Sequence, residues 1–276
     1  MLKVACCHYS LHRRWKDENW DIDRLTDEVK ALGIEGIDYH AGLLGSRDGV
    51  VEAVQSALDR SGLELSGFSL STNFNREDPD ELRAHVEDTL EWLQVAAELN
   101  APVSRIFGGH VDRSKPELIQ TALHRITETL GNLASKAEAM GLVLALENHG
   151  GLPCTGEEQA QVIEAVNSPA LKATIDVGNY MSCGQEGVDG TRAVARHTGY
   201  VHIKDMQKTP DGSKPHGWSI KACTIGQGDV DIPECLRLIL DAGYEGYMAL
   251  EYEGPEPEET GVPASIEYMK EVAKSF

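Results

Sequence analysis

A single (β/α)8 barrel, an α/β fold occupying residues 1–276 as one domain, is the architecture this sequence predicts, on three observations. Short apolar runs alternate with longer amphipathic runs from one end to the other, as parallel strands covered by crossover helices require. The chain has 276 residues, close to the roughly 250 that close a barrel as one domain. The turn after the first apolar run reads Cys7-His8-Tyr9-Ser10, where an open doubly wound sheet would need a glycine-rich nucleotide turn.

The elements follow in order. The first strand is read at 3–9, an apolar run placed directly after the start that suits a barrel strand and not a signal peptide. A loop over 10–20 leads to a helix at 21–32, then strand 34–39, helix 48–61 and strand 63–70. The helix at 79–99 opens on Pro79 and Asp80; Leu82, Val86, Leu90, Leu93 and Ala97 share one face, and Asp80, Arg83, Glu87, Asp88 and Glu91 occupy the other. Strand 103–108 precedes a helix at 116–140 that Pro116 and Glu117 open. Strands 142–147, 171–176, 200–204 and 246–251 then alternate with helices 157–166, 189–197, 231–242 and 263–274. Gly33, Gly62, Gly141 and Gly243 stand just past helix ends, where a left-handed residue is wanted. The rhythm is broken by the 10–20 loop, by the long segment 206–230 and by the acidic stretch 251–259. Such loops at the C-terminal ends of barrel strands are where a substrate is met.

Composition narrows the function classes. Lys and Arg number 25 against 45 Asp and Glu, a formal charge of -20, so the far field repels phosphate backbones and anionic membranes. Nucleic acid and membrane are therefore not expected partners, and no apolar stretch reaches the roughly 18 residues of a membrane span. Cys6, Cys7, Cys154, Cys183, Cys223 and Cys235 make no CxxC pair and read as buried thiols of a cytoplasmic protein.

Four successive apolar strands end in a residue able to bind a metal: Leu142-Val-Leu-Ala-Leu-Glu147, Ala173-Thr-Ile-Asp176, Tyr200-Val-His202 and Tyr247-Met-Ala-Leu-Glu251. A charge at the end of such a strand is costly unless paired or ligated. At one end of adjacent barrel strands the four would share a divalent cation, Mn2+ first, with Mg2+, Co2+ or Zn2+ as alternatives. Three carboxylates and a neutral imidazole overbalance that ion, so Lys204, Lys208, Lys221 or a carboxyl proton is expected to offset the remainder. His8, His40, His110, His149 and Asn179 also fall at strand ends, and with Lys204 and Lys208 they are candidate substrate-binding groups. Asn148 and His149 follow Glu147 directly and can donate to a ligand or a substrate hydroxyl. Trp15 and Trp218, in loops, offer aromatic faces for a sugar ring or plugs for the barrel top. Gly226-Gln-Gly228 lacks a preceding strand and reads as a sharp turn beside the ligands, with Asp231 capping the next helix. Cys7 and His8, as successive strand residues, face opposite ways and make no nucleophile–base pair.

With these pieces in place the chain resembles the xylose isomerase-like TIM-barrel superfamily along essentially its whole length. It is closest to the sugar isomerase/epimerase branch of ketose 3-epimerases and inosose dehydratases. The resemblance is carried by Leu144-Ala-Leu-Glu-Asn-His149, Thr174-Ile-Asp-Val-Gly-Asn179, Val201-His-Ile-Lys-Asp205, Gly226-Gln-Gly-Asp-Val-Asp231 and Ala249-Leu-Glu251. It implies that Glu147, Asp176, His202 and Glu251 hold the metal, and that Glu147 and Glu251 are the catalytic pair exchanging a substrate proton on opposite faces. Where the family often has a histidine three places after the metal aspartate, this chain has Asn179, which can hold a hydroxyl but cannot exchange a proton. Lys208 stands near the place of the arginine that grips the ketose in epimerases. The DNA-repair members use a richer histidine set, which is missing here.

The implied activity is isomerisation or epimerisation of a non-phosphorylated keto sugar through a metal-stabilised enediolate. A β leaving group would turn the same chemistry into elimination, and a β-keto carboxylate into decarboxylation. A cation, Lys204 or Lys221, beside the metal would favour a sugar acid, and a neutral pocket a free sugar. Binding of a polyol or metal without turnover would call for an altered ligand set. The family's frequent dimers and tetramers imply a homodimer or homotetramer.

Overall fold

The structure is a computed structural model that describes residues 2–276. Its framework runs β1 (Lys3–Cys7), α1 (His12–Asp17), α2 (Ile22–Ala31), β2 (Gly36–His40), α3 (Ala41–Leu44), α4 (Val50–Ser61), β3 (Glu64–Ser69), α5 (Pro79–Glu98), β4 (Ser104–Phe107) and α6 (Pro116–Ala139). It continues with β5 (Leu144–Glu147), α7 (Gly156–Val166), β6 (Leu171–Asp176), α8 (Gly187–Val194), β7 (Thr198–Ile203), β8 (Asp205–Pro210), β9 (Trp218–Cys223), α9 (Ile232–Asp241), β10 (Tyr247–Leu250) and α10 (Glu258–Ala273). Eight of the strands form one parallel sheet in the order β3-β2-β1-β10-β7-β6-β5-β4. Across the remaining seam Phe68 N donates to Val103 O at 3.0 Å and Leu70 N to Arg105 O at 2.8 Å. The result is a nearly closed (β/α)8 barrel.

Pleating decides what fills it. Alternate side chains of a strand point to the axis, and Ala5, Cys7, Val103, Ala145, Tyr200 and Ala249 form an apolar cluster there, separate from the larger layer between strands and helices. Two residues further along their strands come Arg105, Glu147, His202 and Glu251, all buried. The lower barrel is thus closed by small side chains around Tyr200, and its C-terminal layer is polar. Helix ends follow local chemistry: Asp78 accepts from Asp80 N at 2.8 Å and Glu81 N at 3.1 Å to start α5, and Thr155 and Glu158 cap α7 reciprocally.

Three departures from the sequence reading bear on the site. The 10–20 loop contains a short 3-10 turn and α1. The 206–230 segment contains an antiparallel hairpin, Asp205 opposite Cys223 through Pro210 opposite Trp218, turned at Asp211, whose Oδ1 accepts from Ser213 N at 3.0 Å. The last helix begins at Glu258, five residues before the expected start at Pro263. All six cysteines are free, and no described helix is long and apolar enough to cross a membrane.

Candidate metal centre and active site

The C-terminal ends of β5, β6 and β7 and the residue following β10 bring Glu147, Asp176, His202 and Glu251 together. One ligand atom from each lies within 4.8 Å of the others, and all four side chains are buried. Register explains the convergence: Asp176 pairs with His202 across β6–β7, and His202 with Ala249, two residues before Glu251. One atom on each residue, Glu147 Oε2, Asp176 Oδ2, His202 Nδ1 and Glu251 Oε2, has no hydrogen-bond partner. Arg105 and Lys204 face the three carboxylate oxygens as ion-pair partners without making a hydrogen bond of good geometry, and three carboxylate oxygens converging with one imidazole nitrogen in a dry interior suit Mn2+, Mg2+ or Zn2+. These residues therefore fit the metal that the sequence leads one to expect.

Neighbouring groups orient the ligands. Asn148 Nδ2 donates to Asp176 O at 2.8 Å while its Oδ1 accepts from Asp176 N at 3.0 Å. It thus holds the end of β6 and does not face a ligand. Asp176 Oδ1 accepts from Gly178 N at 2.9 Å and Asn179 N at 3.0 Å, which leaves Oδ2 for the centre. Asn179 Nδ2 donates to Glu147 Oε1 at 3.2 Å, and its Oδ1 accepts from Lys204 Nζ at 3.2 Å.

Two buried cations complete the electrostatics. Lys204 Nζ lies 2.8 Å from Glu251 Oε2, 3.3 Å from Asp176 Oδ2 and 3.4 Å from Glu253 Oε1. Arg105, which the sequence reading missed, puts Nε 3.0 Å from Glu147 Oε2 and Nη2 3.7 Å from Glu251 Oε1. Burial opposes ionisation throughout. It prevails at Asp176, lifting its pKa to about 8 against the pull of Lys204. At Glu251 burial is outweighed by Lys204, His202 and Arg105, which hold the carboxyl well below its usual range. At Glu147 burial and the Glu251 charge are outweighed by Arg105 and His202, and the pKa falls. Lys204 is driven upward by Asp176 and Glu251 in spite of its burial.

The other candidates are distributed around this centre. His40 is buried, with Nε2 3.2 Å from Ser71 Oγ, and burial followed by the Arg105 charge depresses its pKa to about 4. His8 lies fully buried under the edge of Trp15, ring centroids 4.4 Å apart, and neither ring nitrogen has a partner. His149 stacks near Phe107 at 4.3 Å, and burial lowers its pKa. His110 is exposed, its backbone tied to Asn73 and Asn75. Lys208 donates to Glu186 Oε1 at 2.5 Å and lies 4.8 Å over the Trp218 ring, while Trp218 Nε1 donates to Met181 O at 3.4 Å. Lys208 and the exposed Lys221 therefore sit outside the ligand cluster, and Lys204 and Arg105 carry the positive charge inside it. Cys7 and His8 do diverge: Cys7 Sγ points inward to His202 at 3.5 Å.

The Gly226-Gln-Gly228 turn is wrapped on Asp205, whose Oδ2 accepts from Gly226 N at 2.9 Å and Gly228 N at 2.8 Å. Gly226 has φ 88°, and a Cβ on Gly228 would meet Asp205 Oδ1 at 2.0 Å, so both positions require glycine.

Comparison with known proteins adds a family. A family model described as a xylose isomerase-like TIM barrel matches residues 26–272. Inosose dehydratase of Bacillus licheniformis is 28% identical over 160 residues, 52% of this chain and 51% of that protein, so the chain spans about half the length of that relative. Fructoselysine 3-epimerase of Shigella flexneri is 23% identical over 244 residues, 83% of this chain and 84% of that protein. A xylose isomerase-like TIM barrel protein from Mycobacterium smegmatis, crystallised in complex with magnesium, superposes with a TM-score of 0.76 at 21% identity over 100% of this chain and 97% of that one, a likeness of fold.

Proposed function

The chain belongs to the xylose isomerase-like TIM barrel family, and on that premise we propose that it is a divalent-metal-dependent isomerase or epimerase of a non-phosphorylated keto sugar. The observation that carries the reading is the buried set of Glu147, Asp176, His202 and Glu251, each with one ligand atom that makes no hydrogen bond and lies close to those of the others. A divalent ion held by these four supplies Lewis-acid polarisation of a substrate carbonyl, which makes the neighbouring C–H acidic enough to lose its proton.

The protein's own residues do the rest. Glu147 and Glu251 are held ionised, Glu147 by Arg105 and Glu251 by Lys204 and Arg105, so each has the free lone pair that taking a proton requires. One takes the α-proton, and return from the other on the opposite face inverts the carbon; return to the neighbouring carbon exchanges ketose and aldose. Asn179 holds Glu147 Oε1 in place and cannot itself exchange a proton. Tyr9, Phe107, His149 and Trp218 are partly buried, and we assign them the rim on which a sugar ring would rest.

Charge favours a neutral substrate. Glu147, Asp176, Glu251, Asp38 and Glu253 outnumber Arg105 and Lys204, and a divalent ion would offset most of the difference without leaving a positive excess for an anionic substrate. Lys204 is beside the metal residues, but its charge is already shared among Asp176, Glu251 and Glu253, leaving no excess for a sugar carboxylate. The glycine turn offers a phosphate nothing, since Asp205 already occupies its N–H groups. One observation supports a second reading as a lyase: the Lys204 ammonium lies within 3.3 Å of two candidate ligand carboxylates, where it would stabilise the charge on a departing hydroxyl by hydrogen bonding, and one relative is an inosose dehydratase.

Proton NMR in D2O, with the Mg2+-loaded protein and a panel of free ketoses, 3-keto-glycosides and keto sugar acids, tests these readings. Deuterium entering beside the carbonyl of an intact skeleton is the expected result, and Glu147→Gln should abolish it with the fold retained. Loss of water, an aglycone or CO2 would move the protein to the lyases. Full activity in Glu147→Gln would remove Glu147 as the base, and unchanged turnover in demonstrably metal-free protein would overturn the metal-assisted mechanism.

A further inference from the structure

His202 stands between two groups of ligating side chains. Nδ1 faces Glu147 Oε1 at 3.5 Å and Glu251 Oε2 at 3.7 Å; Nε2 faces Cys7 Sγ at 3.5 Å and Asp38 Oδ2 at 3.6 Å. Cys7, Asp38 and His202 alone place three buried ligand atoms close enough to hold an ion. A neutral imidazole has one lone pair and one N–H, so one face takes the ion and the other keeps the proton.

The hydrogen bonds on the Nε2 side decide between them. Cys7 and Asp38 are register partners on β1 and β2, and both side chains turn to the axis opposite β7. Asp38 is fully buried, and among the described residues no lysine or arginine forms an ion pair with it. Its Oδ2 accepts from Ser69 Oγ at 2.7 Å and from the Cys7 thiol at 3.5 Å. The thiol has a single proton, so the sulfur that gives it to Asp38 is left as an acceptor toward Nε2. Had the thiol pointed at Nε2 instead, the ring proton would sit on Nδ1, among the very carboxylates that should share an ion.

Resting on the metal reading above, we propose that Asp38, acting through Cys7, is a positioning residue that keeps the His202 proton on Nε2 and presents Nδ1 as the metal ligand. The Cys7–Asp38 face is then a proton-holding face and not a second metal site. A buried carboxylate without a cationic partner is retained here because it sets the tautomer of a ligand, and such outer contacts change metal affinity by roughly 10- to 100-fold.

Asp38→Asn is nearly isosteric and puts an N–H2 donor where an acceptor stood, which frees the thiol proton to turn to Nε2. Titration calorimetry should find the Mn2+ dissociation constant raised by about 10- to 100-fold, with the metal-free melting temperature close to that of the unaltered protein. Cys7→Ser, whose hydroxyl can relay in the same direction, should bind Mn2+ within a few-fold of the unaltered protein. Independently of any variant, 15N NMR of the unaltered chain loaded with diamagnetic Zn2+ should place the ion on Nδ1 of His202 and a proton on Nε2. Equal Mn2+ affinity in Asp38→Asn, an ion on Nε2, or a second ion per chain would each overturn this inference and leave the metal reading standing. An unaltered chain that binds none of Mn2+, Mg2+, Co2+ and Zn2+ would overturn both.

Discussion

At the scale of single residues the site is a problem of charge buried faster than it can be hydrated. Glu147, Asp176 and Glu251 would repel one another strongly in a dry barrel, and Arg105 and Lys204 keep them from doing so whether or not an ion is bound. The same cations exclude charge from their neighbours, and His40 shows the consequence. Its pKa is depressed to about 4, first by burial and then by Arg105, against about 6.5 for an unfolded histidine. A depressed folded pKa gives stability that is complete above the unfolded value and is lost as pH falls from about 6.5 through about 4, up to about 3 kcal/mol. Urea titrations across that window should therefore show a shallower acid loss in His40→Gln than in the unaltered chain; identical profiles would mean that His40 is not the buried neutral group. The four candidate metal residues stood out in the sequence because each ends an apolar run. Arg105 and Asp38 did not, because they lie inside strands with partners 31 to 164 positions away. A signal was present even so: a charge within a strand buried on both faces can only point to the axis, where the acids are.

Elements carry the loops that frame this centre, and one contact between distant elements controls the first of them. Glu258, at the start of α10 and buried, accepts from Arg13 N at 3.0 Å, Arg14 N at 2.9 Å and Arg13 Nε at 3.1 Å. It thus satisfies the open N–H groups at the beginning of α1, a helix with no side-chain cap of its own. Helix α1 packs Trp15 on His8, so this carboxylate fixes the helix that covers His8. Glu258→Ala should cost roughly 2–4 kcal/mol in urea unfolding, since several charge-assisted bonds are lost and their donors stay behind. It should also admit trypsin at Arg13 and Arg14; a variant as resistant as the unaltered chain would show that α1 is held by its packing alone. The barrel strands and most helices were legible because their apolar periods are local. The early start of α10 was hidden by Pro263, which lacks an N–H and so resembles a first-turn residue, while the partner that pins the true start lies more than 240 residues away. The β8–β9 hairpin was equally hidden, because polar residues interrupt both strands and leave them only partly buried, although Pro210-Asp-Gly-Ser213 is a turn signal in its own right.

For the molecule as a whole, the proposed ligand set would tie metal binding to closure of the barrel. Glu147, Asp176, His202 and Glu251 come from four strand ends spread over the second half of the chain, and nothing local brings any two of them together. They converge only when β5, β6, β7 and β10 lie side by side in register, so an unfolded chain offers an ion no comparable site. Binding to the folded state alone stabilises by RT ln(1 + [L]/Kd), about 2.7 kcal/mol at a hundredfold excess over Kd. For a chain of 276 residues that is a rise of about 5 °C in melting temperature. The chain's charge of -20 attracts any cation, so part of a shift could come from screening of surface repulsion. The two contributions separate in Asp176→Asn, which keeps almost all of the surface charge and removes one ligand. Scanning calorimetry should find the Mn2+-dependent rise in the unaltered chain and little of it in Asp176→Asn. Equal shifts in both would mean that the ion acts on the surface and that these four side chains have some other purpose.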